Sequence, residues 1–410
     1  DANNNKTENE YDERNFLLKV KDANVPQGVT AYTYDNNGNI QKIIDANTNP
    51  TDYGFDLFDR METVTYADGK FDKYDYDKNS NMTKHTTPST AVIDYVYDAL
   101  NRVTDKKFPA TAANNAKYDY DVGSRLITAD ITATGGTKLS FTYDKLNRVK
   151  TNPRIFGALN PLTLSYDYDK AGNRVKLTYP SGKVVDTTYD ANDRLEYIKA
   201  GGANLAQLAY DPLDRRTAKA YVTNPLQGAL YQYDIANQLT KLTNAKAGQS
   251  FPLSEFEYPN YDNVGNRLTE KILRNQQTSQ TNYGYNSIYE LTSVTGGQLH
   301  AYLHDNVGNR KLVDNVTYQS NSLNQYTFVG NQAHSYDGNG NLTADGINTY
   351  TFDEENRLTK AVNSSFVSDY IYDAFSRRAG KKVNSQWTYY LSDFDDEVAE
   401  YDAAGNLLAE

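Results

Sequence analysis

The sequence predicts an all-β fold, one long antiparallel meander, and three observations predict it. A seven-residue frame recurs 19 times along the chain. A second aromatic residue stands two positions before that frame in 13 of the repeats. The fifth frame position is Gly, Asn or Asp in 15 of the 19. Self-similarity at a short step marks a repeat architecture, and it outweighs the two to four domains that 410 residues would otherwise suggest.

The frame reads aromatic, Asp, any, any, Gly or Asn, Asn or Arg, then apolar or Arg. It begins at residues 11, 34, 55, 76, 97, 120, 143, 168, 189, 210, 233, 261, 285, 304, 320, 336, 352, 372 and 401. Representative members are Tyr34, Asp35 and Gly38; Tyr97, Asp98 and Asn101; Tyr168, Asp169 and Gly172. Further along come Tyr261, Asp262 and Gly265; Tyr336, Asp337 and Gly340; Tyr401, Asp402 and Gly405. Steps run mostly from 19 to 25 residues and shorten to 16 between residues 304 and 352. No linker or shift in composition interrupts them.

Each element follows from the frame. Before the turn, aromatics two residues apart lie on one face of a strand, as in Tyr32-Thr33-Tyr34 and Tyr95-Val96-Tyr97. In the turn, Asp or Asn at position two can accept a hydrogen bond from the backbone two residues on. Gly, Asn and Asp at position five tolerate a positive φ, so Asp-x-x-Gly/Asn predicts a type I turn closed by a left-handed residue. Ser80, Ser124, Ser376 and Tyr289 are the exceptions. After the turn, position seven opens the return strand with residues such as Ile40, Val103 and Leu195. In five frames it is Arg (174, 216, 267, 310, 378), whose stem can lie along a neighbouring ring. Two strands and two turns per step make a meander.

Tyr accounts for 36 residues, and 27 of these fill position one or the position two before it. The Tyr surplus is the repeat itself. Rings in neighbouring strands are expected to form ladders across the sheet. The low mean hydropathy of −0.76 is then compatible with a folded chain that lacks one large oily core.

Composition excludes several chemistries. The absence of Cys removes disulfides, Cys-ligated zinc, iron–sulfur clusters and a cysteine nucleophile. A net charge of −11 argues against a nucleic-acid partner, which needs a basic stripe. No window approaches 18 apolar residues, so no membrane-spanning helix is expected, and the polar start at Asp1 carries no signal-peptide pattern. There is no nucleophile elbow, Walker loop or dinucleotide fingerprint. Asp337-Gly338-Asn339-Gly340-Asn341 resembles half a calcium loop, but Asn348 stands where the bidentate Glu belongs, and a plain turn is expected. His304 and His334 fall in aromatic columns, and His300 has no third ligand partner beside His304. No catalytic residue, cofactor or metal site is expected.

These residues resemble the YD-repeat, or RHS-repeat, family of large bacterial proteins, with teneurins as animal relatives. The resemblance covers essentially the whole chain. It places residues 1–388 in a YD/RHS-repeat array and 389–410, from Tyr389-Tyr390-Leu391 onward, at the start of an RHS core-like segment continuous with it. It implies a sheet that spirals into a hollow shell, barrel or tube, non-enzymatic, secreted or on the cell surface. In toxin-bearing members such a shell encloses a toxin domain, released by an aspartyl autoprotease element after the core. The sequence stops at Glu410, before that element, so no residue here inherits its role. Both ends look cut from the middle of an array. Expected partners are further YD repeats or identical chains at open sheet edges, an enclosed toxin domain, and glycans. The alternative is a self-assembling fibre or tube that pairs edge to edge and adheres to glycans.

Overall fold

The structure is a computed structural model and describes residues 1–132, 136–222 and 227–410. It is nearly all β. Its strands fall into a 32-stranded and a nine-stranded sheet, and one 3-10 turn, Ala112–Asn114, is the only helical element among the described residues. Successive strands pair antiparallel, as expected of a meander.

Two kinds of hairpin alternate along the chain. Those built on the frame share one geometry. Val92–Tyr97 pairs with Val103–Lys107, and the register shifts between Val103 and Asp105, a bulge beside the turn. The same shift recurs beside the turns at Tyr120, Tyr143, Tyr189, Tyr210, Tyr233 and Tyr372. A type I turn with a left-handed third loop residue forces this extra residue into one strand. The opposite ends of the strands close in more varied ways. Asn275-Gln276 and Asn384-Ser385 have two successive positive φ values (49° and 63°, 46° and 78°), the geometry of a tight two-residue hairpin.

By contact density the chain forms two compact units. The first comprises Asp1–Ala31, Asp167–Thr178 and Gly182–Tyr318, and its buried apolar residues are few: Leu177, Ala206, Leu208, Ala229 and Tyr258. The second comprises Tyr32–Tyr166, Tyr179–Ser181 and Gln319–Glu410. It holds the largest fully buried side chains, Tyr166, Phe108, Phe156, Leu139, Leu164 and Leu391. Ala116, Ala129, Leu139 and Ala374 form a cluster there, flanked by Tyr118, Leu126, Ile131 and Phe141.

Within each unit a second spacing appears that the frame does not contain. Late turns pack their tips on early loops and strands about 250 residues back. In the second unit, Asn339 Oδ1 accepts the Ser89 N–H (2.7 Å), the Ala374 carbonyl accepts the Tyr118 hydroxyl (2.8 Å), and Phe375 meets Tyr118 and Phe141. In the first, the Asn263 N–H donates to Asn3 Oδ1 (3.1 Å) and the Ser287 hydroxyl donates to the Ala23 carbonyl. The corresponding tips of earlier frames, including Leu57, Leu100, Val122, Leu213 and Ile235, are exposed.

Candidate functional site: the turn ladder

The frame builds a polar ladder, and its first rung is the turn itself. In all 19 frames the position-two N–H donates to the position-six carbonyl, and the position-five N–H donates to the position-two carbonyl. Position five has a positive φ in all 19, from 57° at Asp59 to 100° at Gly172. Ser80, Ser124, Ser376 and Tyr289, the compositional exceptions, adopt it as well, at 62° to 68°. The turn imposes the angle even where the residue type does not favour it.

The position-two carboxylate locks each turn from inside. Asp98 Oδ1 accepts the N–H groups of Leu100 (2.8 Å) and Arg102 (3.1 Å). Asp35, Asp169, Asp262, Asp337 and Asp402 make the equivalent pair of bonds or a one-residue variant of it. Oδ2 then receives the position-six side chain, Arg102 Nε at 2.7 Å in one frame and Asn39 Nδ2 at 3.0 Å in another. The Arg102 guanidinium, followed by the backbone donors, holds the Asp98 carboxyl below the usual carboxylate range. The side-chain amides of Asn39 and Asn406 do the same for Asp35 and Asp402.

Position six also reaches the next repeat, a role that sequence reading did not assign to it. In at least ten frames its side chain donates to the position-five side chain of the following turn. Asn39 bonds Asp59 (2.9 Å), Arg60 bonds Ser80 (3.2 Å), and Asn81 bonds Asn101 (2.8 Å). Arg102, Arg125, Asn173, Arg194, Arg215, Asn341 and Arg357 act likewise on Ser124, Asn147, Asp193, Asp214, Asn237, Asn356 and Ser376. Position five is thus chosen twice, for its backbone angle and for an acceptor.

Tyrosine ties the frames a second time. The ladder between Met61–Thr65 and Phe71–Tyr76 ends at Thr63↔Lys73, two residues short of Met61. The Met61 carbonyl is instead taken by the Tyr76 hydroxyl at 2.7 Å. Tyr97, Tyr120, Tyr143, Tyr210, Tyr261, Tyr336 and Tyr372 each donate to the position-seven carbonyl of the frame before. Burial holds Tyr97 and Tyr120 above the ordinary phenol range.

The ring faces differ from the expected ring-on-ring ladder. Position-six guanidinium groups cover the next frame's position-one ring: Arg60 over Tyr76 (4.7 Å), Arg102 over Tyr120 (4.6 Å), Arg194 over Tyr210 (4.8 Å) and Arg215 over Tyr233 (4.9 Å). Arg216 and Arg378, at position seven, lie over Tyr231 and Tyr390. A planar cation fits the strand-to-strand gap between rings and supplies N–H donors at its rim.

Other candidates occupy ordinary packing positions. Asp337 accepts Asn339 N–H, Asn341 N–H and Asn341 Nδ2, the same bonds as other frames. His300 Nδ1 lies 2.8 Å from Asp314, and His304 Nδ1 lies 3.8 Å from Glu290. No group of three metal-ligating side chains occurs among the described residues. A buried pair that sequence reading missed is Arg154 with Asp373, 3.9 Å apart, both nearly inaccessible. Burial, reinforced by the Arg377 charge, pushes Arg154 down to about 10. Its only sequence signal is Asn152-x-Arg154-x-Phe156, two polar residues in alternation with an apolar one on the inward face of the strand Val149–Phe156.

Comparisons with known proteins agree with this geometry. The sequence model of the teneurin YD-shell matches residues 110–246 and 232–391, and that of the RHS repeat matches 34–70. The tRNA nuclease WapA of Bacillus subtilis (strain 168) is 36% identical over 139 residues, 30% of this chain and 6% of that protein. The tRNA3(Ser)-specific nuclease WapA of Bacillus spizizenii is 38% identical over 125 residues, 27% of this chain and 5% of that protein. The crystal structure of TcdB2-TccC3-TEV superposes with a TM-score of 0.75 at 13% identity, over 98% of this chain and 27% of that one. A Photorhabdus luminescens Tc holotoxin pore superposes with a TM-score of 0.70 at 14% identity and the same coverage. The chain therefore spans a small part of each relative's length.

Proposed function

Because the chain belongs to the teneurin YD-shell family, we propose that it is a non-enzymatic stretch of β-shell wall in a secreted or surface protein, and that the wall encloses cargo such as a toxin domain. The frame-to-frame ladder carries this reading. Most turns are bonded to the next through position six, through a position-one Tyr hydroxyl, or through both, so neighbouring hairpins are held in register without a thick core. That is what a thin wall requires. The frame residues, from Tyr34, Asp35 and Gly38 to Tyr401, Asp402 and Gly405, are its building set. Residues 389–410 continue the array in this reading. The overlap with the WapA nucleases is confined to 6% of the length of the first, and nuclease activity forms no part of the proposal.

Electron microscopy of the purified chain tests it. Discrete particles, with a low-density centre in class averages, are expected. Continuous filaments that lengthen with concentration would instead establish the fibre reading and overturn this one. A small reporter fused after Glu410 adds the cargo test: it should resist trypsin better than the free reporter, and equal digestion would remove the enclosure claim.

A further inference from the structure

Asn-Gly occurs twice in the chain, at Asn37-Gly38 and Asn339-Gly340, and both pairs fill positions four and five of a frame. The two turns are built alike. Asn37 and Asn39 donate their N–H groups to Asp35 Oδ1, each at 2.9 Å, and Asn339 and Asn341 donate theirs to Asp337 Oδ1, again at 2.9 Å. Gly38 and Gly340 have φ of 94° and 86°. Their N–H groups reach the position-two carbonyl at 3.3 Å and 3.2 Å, longer than the usual backbone bond of about 2.9–3.0 Å. What differs is the surroundings. Asn37 is exposed, and its Nδ2 donates to Asp59 Oδ1 of the next turn at 2.7 Å. Asn339 is half-buried, and its Oδ1 accepts the Ser89 N–H at 2.7 Å. Gly338 beside it packs so closely that a Cβ there would lie 2.7 Å from Ser89 Oγ and 3.1 Å from the Pro88 carbonyl oxygen.

Asn followed by Gly carries an intrinsic reaction. The Gly nitrogen, unshielded by any side chain of its own residue, gives up its proton to solvent and attacks the Asn side-chain carbonyl carbon. A C–N bond forms, the Cγ–Nδ2 bond breaks, ammonia leaves, and a cyclic succinimide remains. Water then opens the ring at either carbonyl, giving aspartate or isoaspartate, in which the main chain runs through the former side chain. Ring closure requires the side-chain carbonyl carbon to swing onto the Gly nitrogen. The exposed turn at Asn37 permits that swing, whereas the Ser89 N–H and the packed backbone beside it hold Asn339 in place. We propose that Asn37 is a site of spontaneous deamidation in the folded protein, and that the contact with Ser89 protects Asn339. The product alters the ladder. Residue 37 ceases to donate to Asp59 and sets a second carboxylate against it, and like charges at that distance repel. Asp59 keeps the Asn39 Nδ2 donor at 2.9 Å, so the joint between these two turns weakens without being lost. The reaction does not depend on whether the wall encloses cargo.

Ageing the purified chain in heavy-oxygen water at neutral and mildly alkaline pH, followed by peptide mapping with mass spectrometry, tests this. Label enters at the new carboxylate and separates conversion in the tube from Asp present at synthesis. Isoaspartyl methyltransferase identifies the isoaspartate product. Conversion is expected at Asn37, and faster at the higher pH, because the attacking nitrogen must lose its proton. Asn339 should lag about three- to tenfold, the worth of one hydrogen bond. In denaturant the lag should vanish, since Asn-Gly-Asn is common to both sites. Asn37→Gln, whose longer side chain closes the corresponding ring far more slowly, should remove the signal while the fold persists by circular dichroism. Asn37→Asp reproduces one product and should melt below the wild type. An unreacted Asn37, equal rates at the two sites in the folded chain, or a lag that persists in denaturant would each overturn the proposal. An Asn37→Asp chain that melts with the wild type would overturn the claimed effect on the ladder.

Discussion

Position five of the frame carries two demands in one residue. Its backbone is left-handed in every repeat, and in at least ten repeats its side chain accepts a bond from the turn before. Gly meets only the first demand, Asn and Asp meet both, and Ser meets the second while bearing the strain of the first. Gly172 separates the two, since a Cβ there would meet nothing within 4 Å and only φ = +100° opposes it. Gly172→Val is therefore expected to cost about 1–2 kcal/mol through backbone strain alone. An unchanged melting temperature would contradict the turn geometry. Tyr97→Phe probes the other tie: it keeps the ring and leaves the Met82 carbonyl without its 2.8 Å donor. A loss of about 0.5–1.5 kcal/mol in urea unfolding is expected.

Between elements, the guanidinium at position six is the joint. Arg102 pairs with Asp98 through Nε (2.7 Å) and Nη2 (2.6 Å), donates to Ser124 through Nη1 (3.1 Å), and covers Tyr120. Lys cannot make the forked pair and the ring contact together. Arg102→Lys should thus recover less than half of the roughly 1–3 kcal/mol lost in Arg102→Ala, measured by denaturant unfolding. Equal stability of Lys and Arg would show that charge alone matters. The hairpins themselves were legible, because a positive-φ residue and an Asx turn leave marks in one short window. The joints were not, because position six acts on a residue about 20 positions ahead and its Asn or Arg reads equally well as turn decoration. The expectation of ring-on-ring stacking failed in the frames with Arg for the same reason: the sequence lists the rings but not what lies between them.

On the scale of the molecule, the turn carboxylates make stability depend on acid. For Asp35, Asp56, Asp77, Asp98, Asp121, Asp190 and Asp402, the position-six donor, reinforced by backbone N–H groups, lowers the folded-state pKa. A depressed carboxylate stabilises the fold above its unfolded value of about 3.9, and that contribution disappears as pH falls through the folded value. Because the same bond recurs from turn to turn, melting temperature should be level from neutral pH to about pH 5 and drop steeply below about pH 4. A flat profile down to pH 3 would mean that these bonds carry little weight.

The sequence by itself determined the repeat, the turn type, the strand directions and the family, since each rests on residues within one frame or on the spacing of frames. It also accounted for the Tyr surplus. Only the tertiary structure decided which late turns rest on which early loops and strands, because that spacing of about 250 residues has no counterpart in the 20-residue step. It alone left Asn37 exposed while Ser89 holds Asn339, and buried Arg154 beside Asp373. A local pattern is written wherever backbone geometry restricts residue choice. A long-range contact needs only matching shape and charge where two distant segments meet, and many residues can provide that.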